Sequence, residues 1–123
     1  MIQRFLKEDF LPMSNQHPML PKILHSLEDI QAIDIKVINV RNQTTITDYM
    51  IIVSGRASRH VKAIALKVME DMKLAGLPTI SVTGLESGDW ALIDFGDFIL
   101  HVMQAESRQF YNLEGLWEER SDS

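Results

Sequence analysis

Five polar side chains crowd the segment Asp89–Trp117, DWALIDFGDFILHVMQAESRQFYNLEGLW: Asp94, Asp97, His101, Glu106 and Arg108. These are the groups a catalytic centre would draw on. Two carboxylates can hold a divalent metal or divide acid and base work, and a histidine can act as general base. A nucleotidyl-transfer centre sets its paired carboxylates on alternate residues of one strand, because a period of two turns both to one face and one metal. Asp94 and Asp97 stand three apart instead, across a hairpin turn, with no third carboxylate at matching spacing. Turn formation accounts for Gly96 and Asp97. No metal is therefore assigned. Asp94-Phe95-Gly96 repeats the kinase metal-binding tripeptide, but the chain has no Gly-rich phosphate loop and too little length for a kinase. No Ser or Cys nucleophile is tied to His101 by a recognisable motif, so His101 reads as a hydrogen-bonded structural residue.

The remaining polar clusters are weaker. Ser54-Gly55-Arg56-Ala57-Ser58 joins a strand to a helix, where free N–H groups could hold an anion. It lacks the glycines and lysine of the nucleotide-binding loops and reads as a tight turn capped by Ser58. The histidines, His17, His25, His60 and His101, make no HxxxH pair, and no Cys is present to join them. Arg59, Lys62 and Lys67 lie in a basic helix that could touch RNA phosphates, without the interleaved aromatics that stack single strands.

These side chains need elements to position them. Leu20, Ile23, Leu24, Leu27 and Ile30 recur at helical spacing, with Pro21 in the first turn. Ile33–Val40 reads as a strand, and the apolar run Tyr49–Val53 as a central strand buried on both faces. Val61, Ile64, Ala65, Val68, Met72 and Ala75 make one helical stripe, stopped by Gly76 and Pro78. Strands follow near Thr79–Thr83, Trp90–Asp94 and Phe98–Met103, and Arg108–Trp117 is shaped for a final helix. The order predicts one α/β domain: a mixed sheet of about five strands flanked by helices. Trp90, Leu92 and Asp94 alternate and so share a sheet face, where Trp90 either caps the core or anchors a partner.

At 123 residues and 46% apolar content, the chain suits a single globular domain. Zero cysteines exclude disulfides and thiol catalysis and favour an intracellular setting. No apolar run reaches membrane-span length. Residues 1–17 read as a flexible N-terminal extension, 18–119 as the domain, and 120–123 as a C-terminal tail. The net charge of −5 is uneven. Residues 36–73 carry seven Lys/Arg against three Asp/Glu, while residues 74–123 carry two against nine. An acidic total argues against broad nucleic-acid binding, and the acidic C-terminal half would complement a basic partner.

Together, several short motifs point to one family. They are Thr47-Asp48-Tyr49-Met50-Ile51-Ile52, Ser54-Gly55 with Ser58-Arg59-His60-Val61, Trp90 with Asp94-Phe95-Gly96-Asp97, His101-Val102-Met103, and Glu106-Ser107-Arg108 with Tyr111, Leu113-Glu114 and Leu116-Trp117. In this order, over about Leu20–Glu118, the chain resembles the ribosomal silencing factor (RsfS, Iojap) family. The resemblance implies a nucleotidyltransferase-like fold without that superfamily's carboxylate pair, no enzymatic activity and no cofactor. It implies a cytoplasmic protein that binds the large ribosomal subunit through the fourteenth large-subunit protein. That protein lies on the intersubunit face, and its occupation would block subunit joining and repress translation under nutrient limitation. By the resemblance, Trp90, Leu92, Asp94, Gly96 and Asp97 make the partner contact; by the basic character of their helix, Arg59, Lys62 and Lys67 are candidates for a ribosomal RNA contact. A homodimer of the free protein stays open. The alternatives are a residual nucleotidyltransferase-type enzyme and an RNA-binding ribosome assembly factor.

Overall fold

The computed structural model describes residues 17–121. The expected extension, residues 1–17, lies outside the described residues except for His17. Of the expected tail, Arg120 and Ser121 are described, as the end of the last helix. In chain order the elements are α1 (Leu20–Asp29), β1 (Ile33–Asn39), β2 (Tyr49–Gly55), α2 (Ser58–Leu74), β3 (Ser81–Thr83), β4 (Trp90–Asp94), β5 (Phe98–Gln104), α3 (Ala105–Tyr111) and α4 (Leu113–Ser121). The strands form one sheet in the order β1-β2-β5-β4-β3. β2 and β5 run parallel and every other neighbouring pair is antiparallel. This is the five-stranded mixed sheet of an α/β domain, as the element order predicts. No helix among the described residues is long and apolar enough to cross a membrane.

One face of the sheet carries the main core. The stripes Leu20, Ile23, Leu24, Leu27 on α1 and Val61, Ile64, Ala65, Val68, Met72 on α2 are buried against Ile51, Val53, Ala91, Ile93, Leu100 and Val102. Every residue of β2 is buried, because the strand lies between β1 and β5 and is covered on both faces. α2 stops where expected. Gly76 takes φ 99°, its N–H bonds the Lys73 carbonyl, and the Leu77 N–H bonds the Met72 carbonyl. This pair of bonds satisfies the helix's last carbonyls.

The start of α2 differs from expectation. Ser58 is the first helical residue, not the cap, and the capping position, Ala57, makes no side-chain bond. His60 does related work instead. Its Nδ1 accepts from the Arg56 N–H at 2.9 Å, so its proton sits on Nε2, which donates to the Ile30 carbonyl at 3.0 Å. One imidazole thereby fastens the turn before α2 to the end of α1.

The second face is covered in part by the last two helices. Ile38, Val40, Met50, Ile52 and Met103 form a smaller cluster, with Trp90, Ile99, Leu113 and Trp117 packed against it. The predicted single helix over Arg108–Trp117 is in fact two. α3 begins three residues earlier, at Ala105, and ends at Asn112, which adopts the left-handed conformation (φ 50°, ψ 53°). Asparagine tolerates that region better than most residues. Its Oδ1 accepts the Gly115 N–H at 3.3 Å, so the break also supports the start of α4.

Arg108 holds this arrangement together. Its Nε and Nη2 donate to the two Glu114 carboxylate oxygens at 3.1 and 2.7 Å. Nη1 donates to Ser54 Oγ at 2.9 Å and reaches the Ile33 carbonyl at 3.4 Å. The hydrogen bonds from Arg108 hold the Glu114 carboxyl below its ordinary pKa, against the opposing effect of burial. Arg108→Ala is expected to destabilise the fold by about 2 kcal/mol, because it strands a partly buried carboxylate and releases α3 and α4 from the sheet. Urea unfolding of the variant measures this. A loss under about 0.5 kcal/mol, the size of an ordinary surface substitution, would contradict it.

Candidate docking surface

β4 divides its side chains between the two faces. Ala91 and Ile93 are buried in the main core, while Trp90, Leu92 and Asp94 are half-buried on the opposite face. Strand register aligns Trp90 with Met103, Leu92 with His101, and Asp94 with Ile99 on β5. Ser81 and Thr83 of β3 continue the rows beyond Asp94 and Leu92. The shared face read from the sequence is therefore present, and the helices α3 and α4 cover it only in part.

Trp90 is held on three sides. Its indole Nε1–H donates to His101 Nδ1 at 3.0 Å. The Tyr111 ring packs against it at a centroid distance of 4.8 Å, and the side chain packs against the smaller core cluster. Because His101 Nδ1 accepts, its proton lies on Nε2, which points at the Met50 sulfur at 3.1 Å. His101 is buried among these partners, and desolvation pushes its pKa down to about 4. It is a neutral, hydrogen-bonded histidine, as expected from the lack of a nucleophile. Trp90 thus caps the smaller core, the first of the two readings left open by the sequence, and is half-buried rather than fully enclosed.

The hairpin after β4 uses its carboxylates structurally. Asp94 Oδ1 accepts the Gly96 N–H at 2.7 Å, and Gly96 sits at φ 92°, a region that suits glycine. The Phe95 N–H bonds the Phe98 carbonyl at 2.9 Å and closes the turn. The Asp97 carbonyl accepts from the N–H groups of Asp48 and Tyr49, tying the hairpin to the start of β2. Asp97 Oδ2 accepts from His17 Nε2 at 2.7 Å, and the His17 ring lies 4.7 Å from the Phe98 ring. Asp94 and Asp97 are thus engaged by different partners, as their spacing suggests. No group of three or more His, Asp or Glu among the described residues is placed to hold a metal.

The basic set lies elsewhere. α2 packs on the main-core face, so Arg59, Lys62 and Lys67 sit on the far side of the sheet from Trp90, Leu92 and Asp94. Lys67 is already occupied: its Nζ lies 2.9 Å from Asp71 and 3.4 Å from Asp29. The Asp71 hydrogen bond leads in raising the Lys67 pKa. Ser26, followed by Lys67, lowers that of Asp71. Arg59 and Lys62 are the better placed of the three for an external phosphate.

Sequence reasoning passed over Phe110 and Ile99 as surface residues, and treated His17 as part of a loose segment. Phe110 is 81% and Tyr111 52% exposed, and their rings stand edge to face at 5.1 Å. The signal was present: α3 reads AESRQFY and buries none of its residues, so its two aromatics have no core to enter. With Trp90 they form a continuous aromatic run leading off the sheet.

Comparison with known proteins agrees with this architecture. The family model described as "Ribosomal silencing factor during starvation" matches residues 13–123. The chain is 41% identical over 111 residues to the ribosomal silencing factor RsfS of Zymomonas mobilis, covering 86% of this chain and 84% of that one. It is 37% identical to the mouse protein named "Mitochondrial assembly of ribosomal large subunit protein 1", over 77% of this chain and 43% of that longer one. A crystal structure of a protein from Chromobacterium violaceum superposes with a TM-score of 0.78 at 37% identity, over 80% of this chain and 82% of that one.

The buried imidazole makes stability depend on pH. An unfolded histidine titrates near 6.5 and folded His101 near 4, so between these values the unfolded chain binds the extra proton. The contribution of neutral His101 is whole above pH 6.5, is lost as pH falls toward 4, and amounts to roughly 3 kcal/mol. His101→Phe should flatten this part of the stability–pH curve, read by urea unfolding from pH 7 to pH 4. Parallel curves for the two proteins would show that His101 is not buried neutral.

Proposed function

The chain belongs to the ribosomal silencing factor family, and from that membership we propose that it represses translation by occupying the large ribosomal subunit. It docks through the Trp90–Leu92–Asp94 face and the Gly96–Asp97 turn onto the fourteenth large-subunit protein, at the surface where the small subunit would bind. Occupation is enough: a steric block needs affinity and abundance but no bond making, and the protein works without catalysis or cofactor. The setting is the cytoplasm under nutrient limitation. The name of the mouse relative links a family member to the same subunit through assembly.

The observation that carries the proposal is the half-covered sheet face itself. It offers a Trp fixed by its neighbours, an adjoining Leu, and carboxylates at the margin. A central aromatic anchor with a polar rim is the layout of a specific interface. Ribosomal proteins are usually basic, and residues 74–123 carry nine acids against two bases, which favours encounter in the right orientation. An auxiliary contact to ribosomal RNA by Arg59 and Lys62, with Lys67 behind its two carboxylates, is supported by the exposed Arg59 and the half-buried Lys62 on α2.

Sucrose-gradient sedimentation with purified subunits tests the main reading. The protein should travel with the large subunit and prevent formation of the full ribosome. Trp90→Ala should weaken that binding by about 2 kcal/mol or more, the scale of an interface anchor. A folded Trp90→Ala variant that cosediments like the unmodified protein would remove this surface from the interface. For the RNA contact, Arg59→Glu with Lys62→Glu should reduce the salt slope of binding by about one unit for each phosphate that is no longer neutralised. An unchanged slope would eliminate it.

A further inference from the structure

We infer that His101 is a positioning residue for docking: its bare Nδ1 fixes the Trp90 indole in the one orientation that the sheet face presents to a partner. This rests on the docking role proposed for Trp90. An indole has one hydrogen-bond donor, and here that donor points inward, to His101 at 3.0 Å. The acceptor is itself fixed, because the Nε2 proton on the far side of the ring faces the Met50 sulfur at 3.1 Å. Met50 is buried on β2 and His101 on β5, so the anchor passes through two interior strands of the sheet. The Tyr111 ring also packs against the indole, with centroids 4.8 Å apart. The ring is therefore oriented by a chain of contacts that ends in the core, although the residue itself is only half-buried.

The consequence for recognition is specific. A partner meeting this face does not have to satisfy the indole N–H and encounters only the ring's apolar surface, with Leu92 and Asp94 beside it. Nor does the partner have to restrain a rotating side chain, since the restraint is already present in the free protein. Without the Nδ1 acceptor, the indole N–H would either stay buried and unpaired or turn outward to water. Either outcome removes the presented orientation. The imidazole does this without touching the partner.

The test combines the free protein with binding to purified large subunits. In the unmodified protein, 15N resonances should show His101 with Nδ1 bare and Nε2 protonated. The opposite tautomer would overturn the inference without any variant. His101→Leu should shift and broaden the Trp90 indole N–H resonance and weaken large-subunit cosedimentation roughly two- to tenfold. His101→Asn, whose Oδ1 can replace the Nδ1 acceptor, should restore both to near the unmodified values. Should both variants weaken binding equally while the indole resonance stays in place, His101 has only a general structural role and the inference falls. If His101→Leu binds normally while Trp90→Ala does not, Trp90 docks unaided and the inference again falls, with the docking surface intact. Normal binding by Trp90→Ala would instead overturn the docking surface, and this inference with it.

Discussion

A sheet whose central strands are apolar on both sides must be covered on both sides, and among the described residues the two longer helices, α1 and α2, both pack on one of them. The other face is covered in part by two short helices whose own grip on the core is slight, since α3 buries nothing. The Arg108 guanidinium supplies the missing attachment. It pairs with Glu114 through a two-pronged contact across the α3–α4 break and reaches Ser54 and the Ile33 carbonyl at the ends of β2 and β1. A planar fork of five donors can pair a carboxylate bidentately and still reach acceptors on two further elements, a geometry that the three donors of a lysine ammonium do not reproduce. With α3 and α4 fixed there, Leu113 and Trp117 reach the smaller core and Tyr111 reaches Trp90.

The same short cover explains why a surface is left over. α3 and α4 shelter one end of the second face, around Met103 and Ser54, and leave Leu92, Asp94 and Ile99 half-exposed. The hairpin at Gly96 and Asp97 borders this strip and is stiffened by bonds to Asp48, Tyr49 and His17. Carboxylates that might have gathered around a metal are spent on a turn and a histidine. The family to which the chain belongs is named for silencing, and a rigid half-covered face suits that role better than an open cleft with mobile acids would.

Much of this was legible in the sequence, and the misses share a cause. Tyr49–Val53 announced a doubly buried strand, the α2 stripe its helix, and Gly76 its stop, because each depends on neighbours close in sequence. The alternation of Trp90, Leu92 and Asp94 gave their shared face for the same reason. What was not legible depends on partners far along the chain. The bond between Trp90 and His101 needs the β4–β5 register, which sets Trp90 against Met103 and so makes His101 its diagonal neighbour. His60 capping the turn before its own helix while holding Ile30, and His17 meeting Asp97 eighty residues later, belong to the same class. The break at Asn112 escaped because a left-handed asparagine leaves no mark on apolar periodicity.

The proposed docking sets the Trp90–Leu92–Asp94 face, rather than the helical face, against the large subunit. Hydroxyl-radical footprinting of the protein, free and bound to purified large subunits, reads this directly, because Trp and Leu side chains report solvent contact residue by residue. Trp90 and Leu92 should lose reactivity on binding, while Leu66 and Leu74, exposed on the far side on α2, should keep theirs. Protection of Leu66 and Leu74 with Trp90 and Leu92 unchanged would contradict it.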